Sequence, residues 1–199
     1  MEAVIQAIET EYQDYKFRSR LEARWAVFMS ELGVPYEYEK EGYDLEDYGW
    51  YLPDFWLPTM DSWLEIKGAF PSAEEQAKCE KLAIGTRKTV YLSWAAIPSA
   101  KEVANNGVEH ILAYKPTIFM GKVRGWVDRD IVAWCACPRC GAVGLAHNGD
   151  GTELSREGVC DCLFEIGYHV MAYDAPHILD AYRKARSERF DRARADGRG

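Results

Sequence analysis

The sequence predicts an α/β fold with a small cysteine-rich subdomain, and three observations predict it. Apolar residues recur at helical spacing over 20–32. Short apolar or aromatic stretches, a second helical stretch and another strand-like run follow, up to residue 94. Five of the six cysteines then fall between Cys135 and Cys162.

The elements can be taken in order. Val4, Ile5, Ile8, Tyr12 and Tyr15 stand at helical spacing and predict a first helix over 3–15. Leu21, Trp25, Phe28, Met29 and Leu32 form the apolar stripe of a second helix, which Gly33 and Pro35 end. Residues 36–39 alternate and predict a strand. Residues 43–49 are acidic and turn-rich. Residues 50–57 read as a buried strand interrupted by Pro53, and 63–67 as the next strand after the Asp61-Ser62 turn. Ser72 and Glu75 form a capping box that opens a helix to about residue 84, and 89–94 is another strand. The order is helix, three strands, helix, strand, which suits a mixed sheet covered by helices. Beyond it the pattern predicts a short helix over 100–105, strands over 111–114 and 117–120, and an Ala- and Arg-rich helix over 176–195. The expected division is a core with its N-terminal helix (1–125), a cysteine-rich subdomain (126–175) and a basic C-terminal helix and tail (176–199).

Composition narrows the function. Hydrophobic residues make up 48% of 199, enough for a core. No apolar run approaches the ~20 residues that span a bilayer, and the start of the chain lacks the features of a signal peptide. A cytoplasmic protein without membrane attachment is therefore expected. The net charge of −8 works against nucleic-acid binding, which depends on cations that neutralise phosphates. Carboxylates gathered at a metal site inflate that negative count. The stretch 183–199 runs the other way, with seven basic residues against three acidic ones.

The chemistry concentrates in two places. On a strand, Glu65 and Lys67 share one face while Leu64 and Ile66 take the other. A short turn joins this strand to the one bearing Asp54, so a hairpin would bring Asp54 beside Glu65. Neighbouring carboxylates repel unless a cation joins them, and hard oxygen ligands suit Mg²⁺ or Mn²⁺. Such an ion stabilises charge on a phosphate and acidifies bound water. Lys67 would orient that water or stabilise developing charge. In the second place, Cys137-Pro-Arg-Cys140-Gly can chelate one ion in a tight turn, and Cys160-Asp-Cys162 lies beyond nineteen intervening residues. Four thiolates make a closed, structural Zn²⁺ site like a zinc ribbon. Cys135 is a fifth candidate, and His147 could replace one ligand.

Pro53-Asp54, ten intervening residues, then Glu65-Ile66-Lys67 resembles the signature of the PD-(D/E)XK nucleases. The stretch from Phe17 through Arg18, Ser19 and Glu22 to Trp25 is similar to the helix that carries a further acidic residue in many members. The likeness covers residues 17–94. It implies a restriction-endonuclease-like core and a metal-dependent deoxyribonuclease in which a Mg²⁺-bound water is the nucleophile. By that resemblance Asp54, Glu65 and the carbonyl of Ile66 hold Mg²⁺ (or Mn²⁺), Lys67 is catalytic, and Glu22 completes the site. Gln76 and Lys81 would bind phosphate. The whole chain resembles phage-type members with a cysteine-rich appendage, which implies phage or prokaryotic DNA processing or defence.

Plainer readings stand beside these. Glu-x-Lys is common on strands. Glu22 also completes a Ser19 capping box. Trp50, Tyr51, Phe55, Trp56 and Trp63 read as core rather than as base-stacking platforms. The cysteines could be reduced and metal-free. The basic helix with Arg186 and Arg189 could lie along DNA or simply face solvent. The cysteine-rich part could staple the fold, grip DNA or contact a protein partner. A non-catalytic nucleic-acid-binding or assembly module with the same fold is the alternative function, with RNA cleavage a third.

Overall fold

A computed structural model of the chain describes residues 7–106, 111–119, 122–147 and 172–190. It begins with an antiparallel hairpin of β1 (Thr10–Tyr12) and β2 (Tyr15–Phe17). The expected first helix is thus replaced, over its described part, by strands. Gln13 and Asp14 both take positive φ, 46° and 65°, the backbone of a two-residue hairpin turn whose twist matches its strands. The turn lets Tyr15 and Phe17 pack on Tyr36, Tyr38 and Phe55, which a helix would not.

Helix α1 (Arg20–Glu31) follows at once, capped by Ser19. It ends in a Schellman motif: the Val34 amide donates to Met29 and the Gly33 amide to Ser30, with Gly33 at φ +65°. Next come β3 (Glu37–Tyr38), β4 (Tyr43–Asp44), a 3₁₀ turn (Glu46–Tyr48), β5 (Trp50–Tyr51), β6 (Phe55–Leu57) and β7 (Ser62–Lys67). Helix α2 (Ala73–Thr86), opened by the Ser72–Glu75 capping box, crosses to β8 (Val90–Trp94). Helix α3 (Ala100–Asn106), strands β9 (Ile111–Phe119), β10 (Lys122–Ala136) and β11 (Val143–His147), and helix α4 (Pro176–Ser187) complete the described chain.

Seven strands make one curled mixed sheet in the order β11-β10-β9-β8-β7-β6-β3. Strands β7 and β8 are parallel, joined by α2, and the other neighbours are antiparallel. The run expected as one strand over 50–57 is split. Its first half, β5, pairs with β4 in a separate two-stranded ribbon, and its second half, β6, joins the sheet. The two short strands expected over 111–120 are one, β9, paired with the long β10. Residue 126, the expected start of the cysteine-rich subdomain, falls inside β10, so that strand's later residues belong to the main sheet.

Side-chain alternation divides the core. Leu64, Ile66 and Tyr91 face α1, α3 and α4, while Trp63, Val90 and Leu92 face α2. Helix α4 ends at Ser187, short of the expected 195, and buries Ile178, Ala181, Tyr182 and Ala185. The Tyr182 ring lies 4.4 Å from that of Phe28 and 6.4 Å from that of Trp25, so α4 packs on α1. No helix among the described residues is long and apolar enough to cross a membrane.

Candidate active site

The hairpin of β6 and β7 delivers Asp54 and Glu65 to one another, and the backbone holds them there. The Asp54 amide donates to Glu65 Oε2 at 3.2 Å, and the Ile66 amide donates to Asp54 Oδ2 at 2.8 Å. Each acid is therefore anchored by an N–H at or next to the other acid. Both side chains are buried. Alternation along β7 then sets Lys67 on the Glu65 side, where Nζ donates to Glu65 Oε1 at 2.6 Å and stands 3.9 Å from Glu75 of α2.

Two cations border the acids. Arg18, between the first hairpin and α1, donates through Nη2 to Asp54 Oδ1 at 2.7 Å. Its Nε makes a 2.7 Å ion pair with Glu39, poorly aligned for a hydrogen bond. Burial, then the charges of Glu65 and Glu22, push the Asp54 carboxyl well above the ordinary carboxylate range, against the Ile66 amide and Lys67. Burial disfavours the Lys67 ammonium, but the charge and hydrogen bond of Glu65 outweigh it and raise its pKa.

Glu22, in the first turn of α1, is buried and fully engaged. Its Oε2 accepts from the Tyr38 hydroxyl at 2.6 Å and its Oε1 from the Ser19 hydroxyl at 2.6 Å. Ser19 caps the helix by accepting from the Glu22 amide. The plainer capping role expected for Glu22, toward the Ser19 amide, is thus replaced by a bond to the Ser19 hydroxyl. Glu22, Arg18, Trp50, Tyr51 and Lys67 line an open cleft of about 470 Å³ with the acid pair.

Comparison of the chain with protein-family models, curated proteins and solved structures finds no match. What the site can do is therefore argued from its own residues.

Among the described residues, no three His, Cys, Asp or Glu side chains gather as a ready-made metal cage. A hard divalent cation nonetheless fits the pair chemically. The side-chain donors are carboxylate oxygens, Asp54 is buried against like charge, and the chain already sets positive charge on one oxygen of each acid. Carboxylate oxygens keep a further lone pair for a ligand after accepting one hydrogen bond.

Other expected residues lie apart from the cleft's lining. Gln76 donates to the Pro71 carbonyl at 3.1 Å and accepts from the Tyr114 hydroxyl at 3.4 Å. Lys81 pairs with Glu46 at 3.2 Å. Arg186 donates to the Ile97 carbonyl at 2.6 Å, tying α4 to the segment before α3, and Arg189 is exposed just past α4. Trp50 corrects the expectation of a core aromatic, because 73% of it is exposed. Phe55 and Trp63 are buried as expected.

Cys137 is buried and Cys140 exposed in a tight turn. The Gly141 amide donates to the Cys137 carbonyl and the Cys137 amide to Ala142, with Gly141 at φ +75°. Cys135, near the end of β10, is buried in one cluster with Cys137 and Ala146. Cys160 and Cys162 lie outside the described residues, as does the side chain of His147. Ala172 pairs with Ala136 beside the turn.

Arg18 and Tyr51 stand in the cleft without a role there from the sequence. Arg18 falls inside the stretch that carries Glu22, and its place four residues before that acid is the only signal in the sequence. The Tyr51 hydroxyl is buried beside Glu65 and Cys79, and burial followed by the charge of Glu65 raises its pKa well above the ordinary range.

Proposed function

We propose that the chain is a divalent-metal-dependent nuclease of the PD-(D/E)XK type that hydrolyses DNA phosphodiester bonds. The observation that carries this reading is the reciprocal clasp of Asp54 and Glu65 with Lys67 alongside, in an open cleft. Asp54, Glu65 and the Ile66 carbonyl would hold Mg²⁺ or Mn²⁺. A bound ion supplies charge neutralisation at the phosphate and acidifies water. The residues do the remaining work. The two backbone hydrogen bonds fix the acids before substrate arrives, so little reorganisation is needed. Lys67, held by Glu65, presents an ammonium where negative charge develops on phosphate oxygens. Glu22, held by Tyr38 and Ser19, adds negative charge near Asp54 and strengthens the attraction for a cation.

The test is incubation of the purified chain with single- and double-stranded DNA plus Mg²⁺ or Mn²⁺. The wild type cleaves, and Glu65→Gln or Lys67→Met loses roughly 100-fold or more in rate, the scale of one electrostatic group in a preorganised site. Undiminished cleavage by both variants defeats the reading.

One observation favours a second reading, a nucleic-acid-binding or assembly module without turnover. All four carboxylate oxygens of the pair already accept from donors within the chain. DNA binding that survives Glu65→Gln, with no cleavage by the wild type in either metal, would decide for it.

We propose in addition that Cys137, Cys140, Cys160 and Cys162 hold a structural Zn²⁺. The support is the tight Cys137–Gly141 turn and the return of the chain at Ala172 beside it. Zinc measured in the purified chain at one equivalent, and lost in Cys137→Ser, is the expected outcome.

A further inference from the structure

We infer that Trp50 and Phe70 are stacking platforms for unpaired nucleobases, so that the substrate of the cleft is single-stranded nucleic acid. The inference rests on reading the cleft as a phosphodiester site and adds the substrate class. Among the described residues only four large apolar side chains are exposed, and these are two of them, at 73% and 68%.

Neither ring is a stray surface residue. Trp50 lines the cleft together with Lys67 and Arg18. It lies opposite Asp44 on the β4–β5 ribbon, while its neighbour Tyr51 turns inward. One side of its indole rests on Gly42. A Cβ added to Gly42 would meet the ring at 2.4 Å, so the glycine makes room for the tryptophan. The ring has Gly42 against one side and is largely open to solvent on the rest. Phe70 stands three residues past Lys67. Its ring meets that of Trp94 edge to face, 5.4 Å away at 78°. Trp94 is the parallel partner of Lys67 in β8, so this aromatic pair stands at the end of the sheet that carries the lysine.

Supported aromatic faces beside cations match a ligand that carries both phosphates and open π-faces. Bases in a single strand offer such faces, whereas bases in a duplex are stacked on one another. An apolar protein surface matches less well, because the cleft that Trp50 lines is polar, with Arg18, Glu22 and Lys67 in its wall. Stacking also relieves the difficulty posed by the net charge of −8, since it adds affinity without further phosphate contacts.

The test measures binding in EDTA, where cleavage is not required. The probes are fluorescein-labelled oligothymidylate and oligouridylate of about twelve nucleotides and a hairpin duplex of similar length, followed by anisotropy. The wild type binds one or both single strands more tightly than the hairpin. Trp50→Ala and Phe70→Ala each weaken single-strand binding about fivefold or more, the lower end for a base–aromatic stack. Trp50→Phe keeps most of the affinity. The slope of log affinity against log salt is unchanged in Trp50→Ala, because no phosphate contact is lost. Wild-type affinity in both alanine variants, or tighter binding of the hairpin than of either single strand, overturns the inference. The nuclease reading fails separately: a chain that binds oligothymidylate through Trp50 but never cuts it with Mg²⁺ or Mn²⁺ keeps the platforms and loses the catalysis.

Discussion

Arg18 Nη2 lies 2.7 Å from Asp54 Oδ1, so an arginine ahead of the first long helix supplies a counter-charge to a buried acid of the central hairpin. The guanidinium occupies ground that a divalent ion would share. Arg18→Met removes this competitor and tightens Mn²⁺ binding by roughly tenfold, as expected for one nearby unit charge worth ~1.4 kcal/mol. Titration followed by electron paramagnetic resonance measures it. Because the arginine is half exposed, its loss costs only about 1 kcal/mol of stability. Unchanged or weaker Mn²⁺ binding would show that Arg18 does not compete with the ion.

Burial, Glu65 and Glu22 hold the Asp54 pKa well above its ordinary 3.8 in the folded, metal-free chain. Between the unfolded value and the raised folded one, the native state keeps a proton that the unfolded chain has released. Stability therefore declines as pH rises through that window. Asp54→Asn removes the titrating group. In EDTA near pH 7 the variant melts above the wild type. The gap closes below about pH 4, and Mn²⁺ raises the wild-type midpoint alone. A variant that melts lower at pH 7 contradicts the account.

Gly42→Ala places a methyl group where the Trp50 indole now rests, at 2.4 Å. The ring must move, and it can move toward solvent. Oligothymidylate affinity then falls as in Trp50→Ala, about fivefold or more, while the melting midpoint changes by only a few degrees. Unaltered affinity would mean that the ring's position does not matter for binding.

Phe28 is wholly buried, 4.4 Å from the ring of Tyr182 and 5.5 Å from that of Trp134. It joins α1, α4 and β10. Phe28→Ala costs about 3–5 kcal/mol by leaving a cavity among groups that cannot close over it. Urea unfolding reads this directly. A loss below ~1 kcal/mol would mean that the helix pair repacks freely.

Much of the fold around the acids could be read from local pattern. The alternation of β7, the Ser72–Glu75 capping box and the Gly33 stop each depend on residues a few positions apart. The hairpin at 10–17 could not be read this way. Its tyrosines fall at helical spacing, and its turn uses Gln13 and Asp14 rather than the glycine that announces positive φ. The exposure of Trp50 is not legible in the sequence, because a run of aromatics does not reveal which side of the chain meets solvent. The β4–β5 ribbon decides that through Tyr43 and Asp44, and Gly42 decides where the ring rests. Arg18 finds Asp54 across 36 positions, a contact that no periodicity encodes. The continuity of β10 escaped for the same reason, since its partners β9 and β11 are set by tertiary pairing.

The ribbon of β4 and β5 stands outside the seven-stranded sheet, whereas β7 has a hydrogen-bonded neighbour along each edge. The Trp50 indole and the clasped acids thereby belong to separate strand pairings. Substitutions in the ribbon reshape the cleft wall at Trp50 and Tyr51, and the β6–β7 hairpin keeps its register because none of its ladder partners lies in that ribbon.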